Sequence, residues 1–591
     1  MAIENNKRDE EVPGSTLPVY RWEGRGLGVS FENLSLYGDA GSARRIDDFA
    51  TIIQKITLWP ILYAKQQLYR NPKSKQILVQ DLTGVLCPGE TLLVLGSPGA
   101  GCTTTLKALA SCFETFSDVT GDLQYSTIRP ETVAKHYRSE VIYNGEEDIH
   151  FPTLKVKDAL EFVLSLRKPS RGFAQTPDKK FSNDISGRLL EMLGITHTSE
   201  TIVGNSFIRG VSGGERKRVS LGEALAVNPS VACWDNPIRG LDSSSALNFL
   251  QKLNLISKAN GMTNVVSLYQ ASEAMYQTCF DKVLVLYEGR QIYFGPASEA
   301  KEYFKELGFQ TIPRQTTPEF LTALTSVRER RIDPSYSGPL HLNADSLAEK
   351  FKQSQANVQL QSDLTAYKAK HYQQSTVEDF QRSVEETVSR YRIFNTVEPS
   401  TIPKQVSVSL VRFYRLLWND RSTFFTITAL AIINAVICGS GFYAAPRTST
   451  GSFERSCALY FPLVYFFLNA LTEVNKTIDA RNILLKQHKL GIIHPVSFVI
   501  TQAIGDIPSS LIQTVIFSCC YYFIVGFNKT ASQFWIFVLI TFTHYGSVSA
   551  MFRMIGAWAP SLSVALLMMG SAIPIVTLYA GYAPPFPTQH R

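Results

Sequence analysis

The sequence predicts an α/β nucleotide-binding domain of the phosphate-loop type, followed by an all-α bundle of transmembrane helices. Three observations carry this. Short β-rich runs alternate with amphipathic helical stretches between Lys75 and Gly308, a glycine-rich turn spans 96–104 directly behind one of those runs, and five long uncharged apolar runs follow Pro403. Alternating β and α patterns imply a sheet covered by helices. A helix needs about 20 apolar residues to cross a hydrocarbon core of about 30 Å.

At 591 residues the chain is long enough for several domains. Its formal charge, 58 − 51 = +7, comes without the Lys/Arg tract that neutralises a phosphate backbone, so nucleic acid is excluded as a partner. The charged opening lacks the apolar stretch of a secretory leader, which places the first domain in the cytosol. Nine cysteines without paired metal-ligand spacing read as packing thiols.

Taken in order, residues 1–75 form an N-terminal extension. Its apolar patch at 49–68 contains Lys55 and Lys65, so it reads as a surface helix. Residues 76–330 are the nucleotide-binding domain, with strands expected at 91–95, 231–234 and 283–287. Residues 331–402 are a charged, Gln-rich connector with helical spacing near 347–351 and 377–391. Residues 403–591 are the membrane domain, whose spans are expected at 424–443, 456–472, 507–527, 530–552 and 563–583.

The loop after the second span carries Lys476, Arg481, Lys486 and Lys489, which places it on the cytosolic side. Arg412 and Arg415 among apolar residues at 406–418 suit a helix lying in the cytosolic interface. Asn434, Asn469, Thr514, His544 and Ser547 interrupt the spans. Such groups bond between helices or line a substrate path.

The turn Gly96-Ser97-Pro98-Gly99-Ala100-Gly101-Cys102-Thr103-Thr104 has phosphate-loop spacing, with Cys102 where lysine belongs. Its glycines let backbone N–H groups converge on phosphates, and the following helix adds its N-terminal dipole. Thr103 falls at the Mg²⁺-ligand position. Cys102 also admits a second reading, a redox thiol with a depressed pKa at a helix N-terminus. Further on come Ser212-Gly213-Gly214-Glu215, then an apolar run ending in Asp235-Asn236, then Arg239-Gly240-Leu241-Asp242. Asp235 at a strand end can reach Mg²⁺ through water.

With these motifs in this order, the chain resembles the first half of a full-size fungal ABC transporter of the ABCG, pleiotropic drug resistance type. Tyr143-Asn144-Gly145-Glu146, His150-Phe151-Pro152, Tyr293-Phe294-Gly295-Pro296, Pro318-Glu319-Phe320-Leu321 and Leu578-Tyr579-Ala580-Gly581-Tyr582 are similar to that family's landmarks. The resemblance implies ATP and Mg²⁺ as cofactors. It implies ATP binding by Gly96, Ser97, Gly99, Ala100, Gly101, Cys102, Thr103, Thr104, Glu146 and Asp235, with Thr103 and Asp235 holding Mg²⁺. Ser212, Gly213, Gly214 and Glu215 are the ABC signature, which in the family clamps a nucleotide held by a facing domain, and Asp242 lies in the D-loop. The segment 481–489 resembles the coupling segment that rests on the nucleotide domain. Membrane lipid, a hydrophobic small-molecule substrate and a second ABC half, in cis or trans, are the implied partners, and the plasma membrane is the implied location. Relative to that family the sequence stops inside its first membrane domain.

Four positions depart from a working ATPase. Cys102 removes the cation that meets transition-state charge. Asn236 replaces the glutamate that polarises the attacking water, and an amide cannot accept that proton. Tyr269 stands in the place of the switch histidine, and Glu146 in that of a glutamine. Together they describe a pocket that binds nucleotide, hydrolyses little and has no intact catalytic residue, beside an intact signature. Departures of this kind are themselves typical of the family's first nucleotide domain. Two functions follow: half of an efflux transporter, or a non-transporting nucleotide-binding membrane protein, either a regulatory partner or a vestigial product.

Overall fold

The computed structural model describes residues 26–39, 75–168, 177–371, 375–387, 400–443 and 448–579. The patch at 49–68 and residues 580–582 of the last landmark lie outside them. Nine strands form one sheet: β1 (Val29–Asp39), β2 (Lys75–Leu86), β3 (Thr91–Leu95), β4 (Asp118–Tyr125), β5 (Val141–Asn144), β6 (Val231–Asp235), β7 (Thr263–Ser267), β8 (Lys282–Tyr287) and β9 (Arg290–Pro296). Their spatial order is β4-β1-β2-β9-β8-β3-β7-β6-β5.

Every residue of β3, β6 and β7 is buried. A parallel strand covered on both faces needs such an unbroken apolar run. β3 pairs in parallel with β7, β7 with β6, and β6 with β5, so four carboxyl ends share one rim. Ligands of open α/β sheets bind along that rim.

Val29–Asp39, read as part of the extension, is a sheet strand that pairs antiparallel with β2 and β4. Asn33 sits at φ 47° inside a register shift between Phe31 and Leu34. That bulge breaks the period-2 pattern that reveals a strand in sequence. In the connector, helices Ala344–Lys352 and Gln355–His371 bury Leu347, Phe351, Leu360 and Leu364 in the core of the sheet domain.

Four helices frame the rim: α1 (Cys102–Leu109), α2 (Val156–Arg167), α3 (Gly213–Val227) and α4 (Ser243–Asn260). The C-terminal part contains α5 (Ile402–Asn419), α6 (Arg421–Gly441), α7 (Ser449–Ala470), α8 (Thr472–Lys489), α9 (Pro495–Val525), α10 (Ala531–Trp558) and α11 (Leu562–Tyr579). Among the described residues, Arg421–Gly441, Gly451–Lys489, Pro495–Val525 and Ala531–Trp558 are long and apolar enough to cross a membrane. The fifth run is described as helix α11 as far as Tyr579, and the rest of it lies outside the described residues.

The charge-free runs understate two helices. α9 starts before Asp506, and α10 continues through Arg553. The Arg553 guanidinium donates to Glu473 on α8, at 2.9 and 2.8 Å, and to Asp506, so these charges are paired where lone ones would be costly. The basic segment expected as a loop is helix α8, a continuous run without Pro or Gly. Of the polar residues noted in the spans, His544 reaches across to the Leu463 carbonyl on α7 at 3.0 Å. Asn434, Thr514 and Ser547 bond back to carbonyls of their own helices.

α5 is amphipathic in two directions. Val411, Tyr414 and Trp418 remain exposed on one side. On the other, Arg415 pairs with Asp158 at 2.6 Å and Glu161 at 3.2 Å on α2. Arg412 is buried between the Phe151 and Phe162 rings, 4.9 and 3.6 Å from their centroids, and donates to Gln487 Oε1 at 3.0 Å. The helix expected in a lipid interface therefore also docks on the sheet domain.

Candidate nucleotide pocket and signature face

The loop behind β3 is anchored from three directions. Ser97 N–H donates to Thr325 Oγ1 at 2.9 Å, Ala100 N–H to the Ser97 carbonyl at 2.9 Å, and Gly289 N–H to the Ala100 carbonyl at 3.1 Å. Gly99 and Gly101 have φ of 88° and 100°, a region that disfavours a side chain. α1 begins immediately after, with no side-chain cap on Gly101 and no acid in its first turn. First-turn amides, those of Thr103 and Thr104 among them, have no intrahelical acceptor and make an anion site. A β-carbon on Gly99 would meet nothing within 4 Å, so the crest of the loop is open. The loop therefore fits a phosphate chain in shape, although no lysine completes it.

Asp235 ends β6 almost fully buried. Its Oδ1 accepts from the Ser267 hydroxyl at 2.7 Å and its Oδ2 from the Tyr143 hydroxyl at 2.8 Å. A carboxylate offers about four lone-pair directions, so two remain for water on a cation. The donor set, Thr103 hydroxyl plus a fixed carboxylate, suits Mg²⁺, a hard ion that keeps much of its water.

The four departures meet on the rim. Cys102 opens α1 behind β3, Glu146 follows β5, Asn236 follows β6 and Tyr269 follows β7. Burial, reinforced by the Asp235 charge, pushes the Cys102 thiol up to about 12. Desolvation there outweighs the helix N-terminus, which speaks against the low-pKa redox reading. Asn236 sits at φ 46°, left-handed backbone that Asn tolerates better than most residues. Its amide donates to the Ser267 carbonyl at 3.1 Å and its side chain to Glu146 Oε1 at 3.4 Å. The same Glu146 oxygen accepts from Arg239 at 2.9 Å. Tyr269 is half exposed, and burial, then Glu146 and Asp235, raise its phenol pKa. Glu146 Oε1 is thus occupied by Asn236 and Arg239, and the Asn236 side chain is an amide, which cannot accept a proton from water.

The signature is organised differently. Ser212 caps α3: its hydroxyl accepts from Glu215 N–H at 3.3 Å while Glu215 Oε2 accepts from Ser212 N–H at 2.8 Å, a complete capping box. Gly213 is exposed, and Gly214 packs so closely that a β-carbon would lie 2.5 Å from the Gly240 carbonyl. Asp242 caps α4 through Ser245 N–H at 3.0 Å. Ser212, Gly213, Gly214 and Asp242 border a groove of about 1210 Å³ that also touches Glu146 and Arg239, and Asp479 and Asn482 on α8, and no residue of the loop 96–104 lines it. Sequence reasoning missed Ser267 and Thr325, and found Tyr143 and Arg239 only as members of motifs, since each acts through a partner distant in the chain.

α8 also touches the sheet domain: Lys486 pairs with Glu223 at 2.7 Å, Lys489 with Glu114 at 3.1 Å, and Arg138 donates to His488 Nε2 at 2.7 Å. Arg481 points the other way, to the Ala559 carbonyl at 2.6 Å.

Residues 79–239 match the family described as ABC transporter, and residues 404–590 match the ABC-2 type transporter membrane family. The chain belongs to the ABC transporters. It is 35% identical to the ABC multidrug transporter atrF of Aspergillus flavus over 95% of this chain and 36% of that protein. It is 35% identical to the ABC multidrug transporter H of Aspergillus fumigatus, over 96% of this chain and 39% of that one. Against the ABC multidrug transporter SNQ2 of Candida glabrata the identity is 34%, covering 94% and 37%. The chain thus spans less than two fifths of the length of these relatives. It is a multi-pass membrane ABC protein with its cassette first and its ABC-2 domain after it.

Proposed function

We propose that this chain serves as one half of an ATP-driven exporter of hydrophobic small molecules in the plasma membrane. On this reading its own pocket holds MgATP with little hydrolysis, and its signature completes the pocket of a second cassette. The observation that carries it is the convergence of Cys102, Glu146, Asn236 and Tyr269 on one rim, while the Ser212–Glu215 capping box keeps its full geometry. Gly96, Ser97, Gly99, Ala100, Gly101, Thr103 and Thr104 would hold the phosphates, and Thr103 and Asp235 the Mg²⁺. Bound MgATP supplies the phosphoanhydride whose cleavage drives transport. Toward it this chain's residues bind and orient, and none of them removes a proton. The names of the relatives, ABC multidrug transporters, support a drug-like substrate class.

The test is ATP-dependent efflux from vesicles holding the purified chain, with and without a partner cassette that bears a lysine-type phosphate loop and a Walker glutamate. Efflux only with the partner is expected. Robust efflux by the chain alone overturns the reading, and absence of efflux with every such partner favours a non-transporting nucleotide-binding role.

A further inference from the structure

The first turn of α3 is met by a short turn, Thr196–Thr198, that follows the helix Asp178–Met192. This turn stands on the core, because Leu193, Ile195 and Thr198 are buried. It is also fastened to the start of α2, whose Val156 and Lys157 amides donate to the Thr201 and Ser199 carbonyls, each at 3.0 Å. From that base His197 reaches Glu215, 18 positions on in the chain, with Nε2 2.9 Å from Oε1. A carboxylate only accepts, so Nε2 carries the proton and donates. Arg218 makes a second tie from α3, donating to the Leu193 carbonyl at 3.3 Å and to the Gly214 carbonyl at 3.4 Å. Both Glu215 oxygens are therefore engaged, Oε1 by His197 and Oε2 by Ser212 N–H. Burial would raise the Glu215 carboxyl, yet the bonds from Ser212 and His197 outweigh it and hold it below the ordinary carboxylate range. That negative charge lies at the third position of α3, directly after Gly213 and Gly214, whose first-turn amides have no intrahelical acceptor. A carboxylate free to turn there competes with any other anion for those amides.

We propose that His197 is a positioning residue for the signature: its Nε2–H fixes the Glu215 carboxylate in the capping box and so leaves the Gly213 and Gly214 amides free for the terminal phosphate of a nucleotide in a facing cassette. The capping box alone restrains one carboxylate oxygen, since Ser212 N–H reaches only Oε2. His197 restrains the other, from a segment outside both the signature motif and the loop 96–104. Its side chain is 67% exposed, so the bond is weak as a source of stability and acts by direction. The inference rests on the reading that the signature serves a facing cassette.

The experiment is amide hydrogen exchange on the full chain in lipid nanodiscs, comparing His197→Ala with His197→Gln. Gln keeps an N–H donor near the Nε2 position, and Ala removes it. Losing an exposed charge-assisted bond predicts about threefold faster exchange at 212–216 for His197→Ala. His197→Gln should keep the protection, and the loop 96–104 should not change in either variant. Unchanged exchange at 212–216 in His197→Ala, or equal acceleration in both variants, overturns the proposal. With an active partner cassette, His197→Ala should lower kcat by about threefold while the affinity of the chain's own pocket for MgATP stays within about twofold. His197→Gln should restore kcat, and a loss that Gln does not rescue overturns the positioning role. If no partner yields hydrolysis with the unmodified chain, the transporter reading fails, and exchange at 212–216 still decides whether His197 positions Glu215.

Discussion

The phosphate-loop face and the signature face of the cassette are carried by one sheet domain, yet their side chains have been treated in opposite ways. On the first, the backbone keeps its form: Gly99 and Gly101 hold left-handed conformations and α1 presents uncapped amides. Its side chains are Cys102, Asn236 and Tyr269 where the family resemblance implies lysine, glutamate and histidine, and Glu146 is occupied with Arg239 and Asn236. On the second face, Ser212, Gly214 and Glu215 retain both contacts and cap, and buried Lys217, Ser220 and Glu223 stand behind them. The difference teaches that binding shape and catalytic competence are separable, because the former lies in backbone and the latter in a few ionisable groups.

The sharpest way to break this contrast is Ser212→Arg. Paired with a competent partner cassette, the variant should lose efflux by about 10²-fold or more, the scale of removing preorganised donors to transferring phosphate. The affinity of the chain's own pocket for MgATP should stay within about twofold by equilibrium binding. A parallel loss of that affinity would mean the two faces are not independent.

The reverse experiment repairs the first face. Cys102→Lys with Asn236→Glu restores the missing cation and base, and hydrolysis should rise by about 10²-fold, the low end of general-base contributions. Glu introduced at position 236 must adopt φ near 46° and displace the contact to Glu146, so the gain should increase when Glu146→Gln is added. Steady-state phosphate release with a head-to-tail partner measures it. No gain in either variant would show that the backbone of this face is also compromised.

A smaller effect concerns pH. The Cys102 thiol ionises near 12 in the fold against an ordinary value of 9.0. The folded state therefore binds more protons than the unfolded one across that window, and stability falls as pH rises above about 9. Below pH 9 Cys102 should resist alkylation, because its thiol stays protonated. Mass-spectrometric labelling from pH 7 to 9 should modify exposed Cys87 first. Rapid labelling of Cys102 near neutrality would return it to the redox reading.

Much of this was legible in the sequence wherever a local backbone motif sets the structure. The phosphate loop, the strand ending at Asp235 and the Ser212–Glu215 turn are each contiguous, and their spacing identifies them. What escaped depends on partners far apart in the chain. Glu146 and Arg239 are 93 positions apart, and Arg415 meets Asp158 across 257. β1 was hidden by its bulge at Asn33, and α8 by charges that look like a loop to a hydropathy argument. The Glu473, Asp506 and Arg553 cluster fell at the edges of the charge-free runs because the criterion that finds spans rejects ion pairs inside them.

The central claim is that this chain's pocket holds MgATP without turning it over. The most direct measurement is single-turnover chemistry: the purified full chain in nanodiscs, in excess over radiolabelled MgATP, quenched over time. The account predicts that bound nucleotide remains ATP over minutes, with conversion far below about 1 s⁻¹, the lower end of ordinary enzyme turnover. Conversion at about 1 s⁻¹ or faster by the unmodified chain, abolished when Thr103 is replaced by Ala, would contradict it.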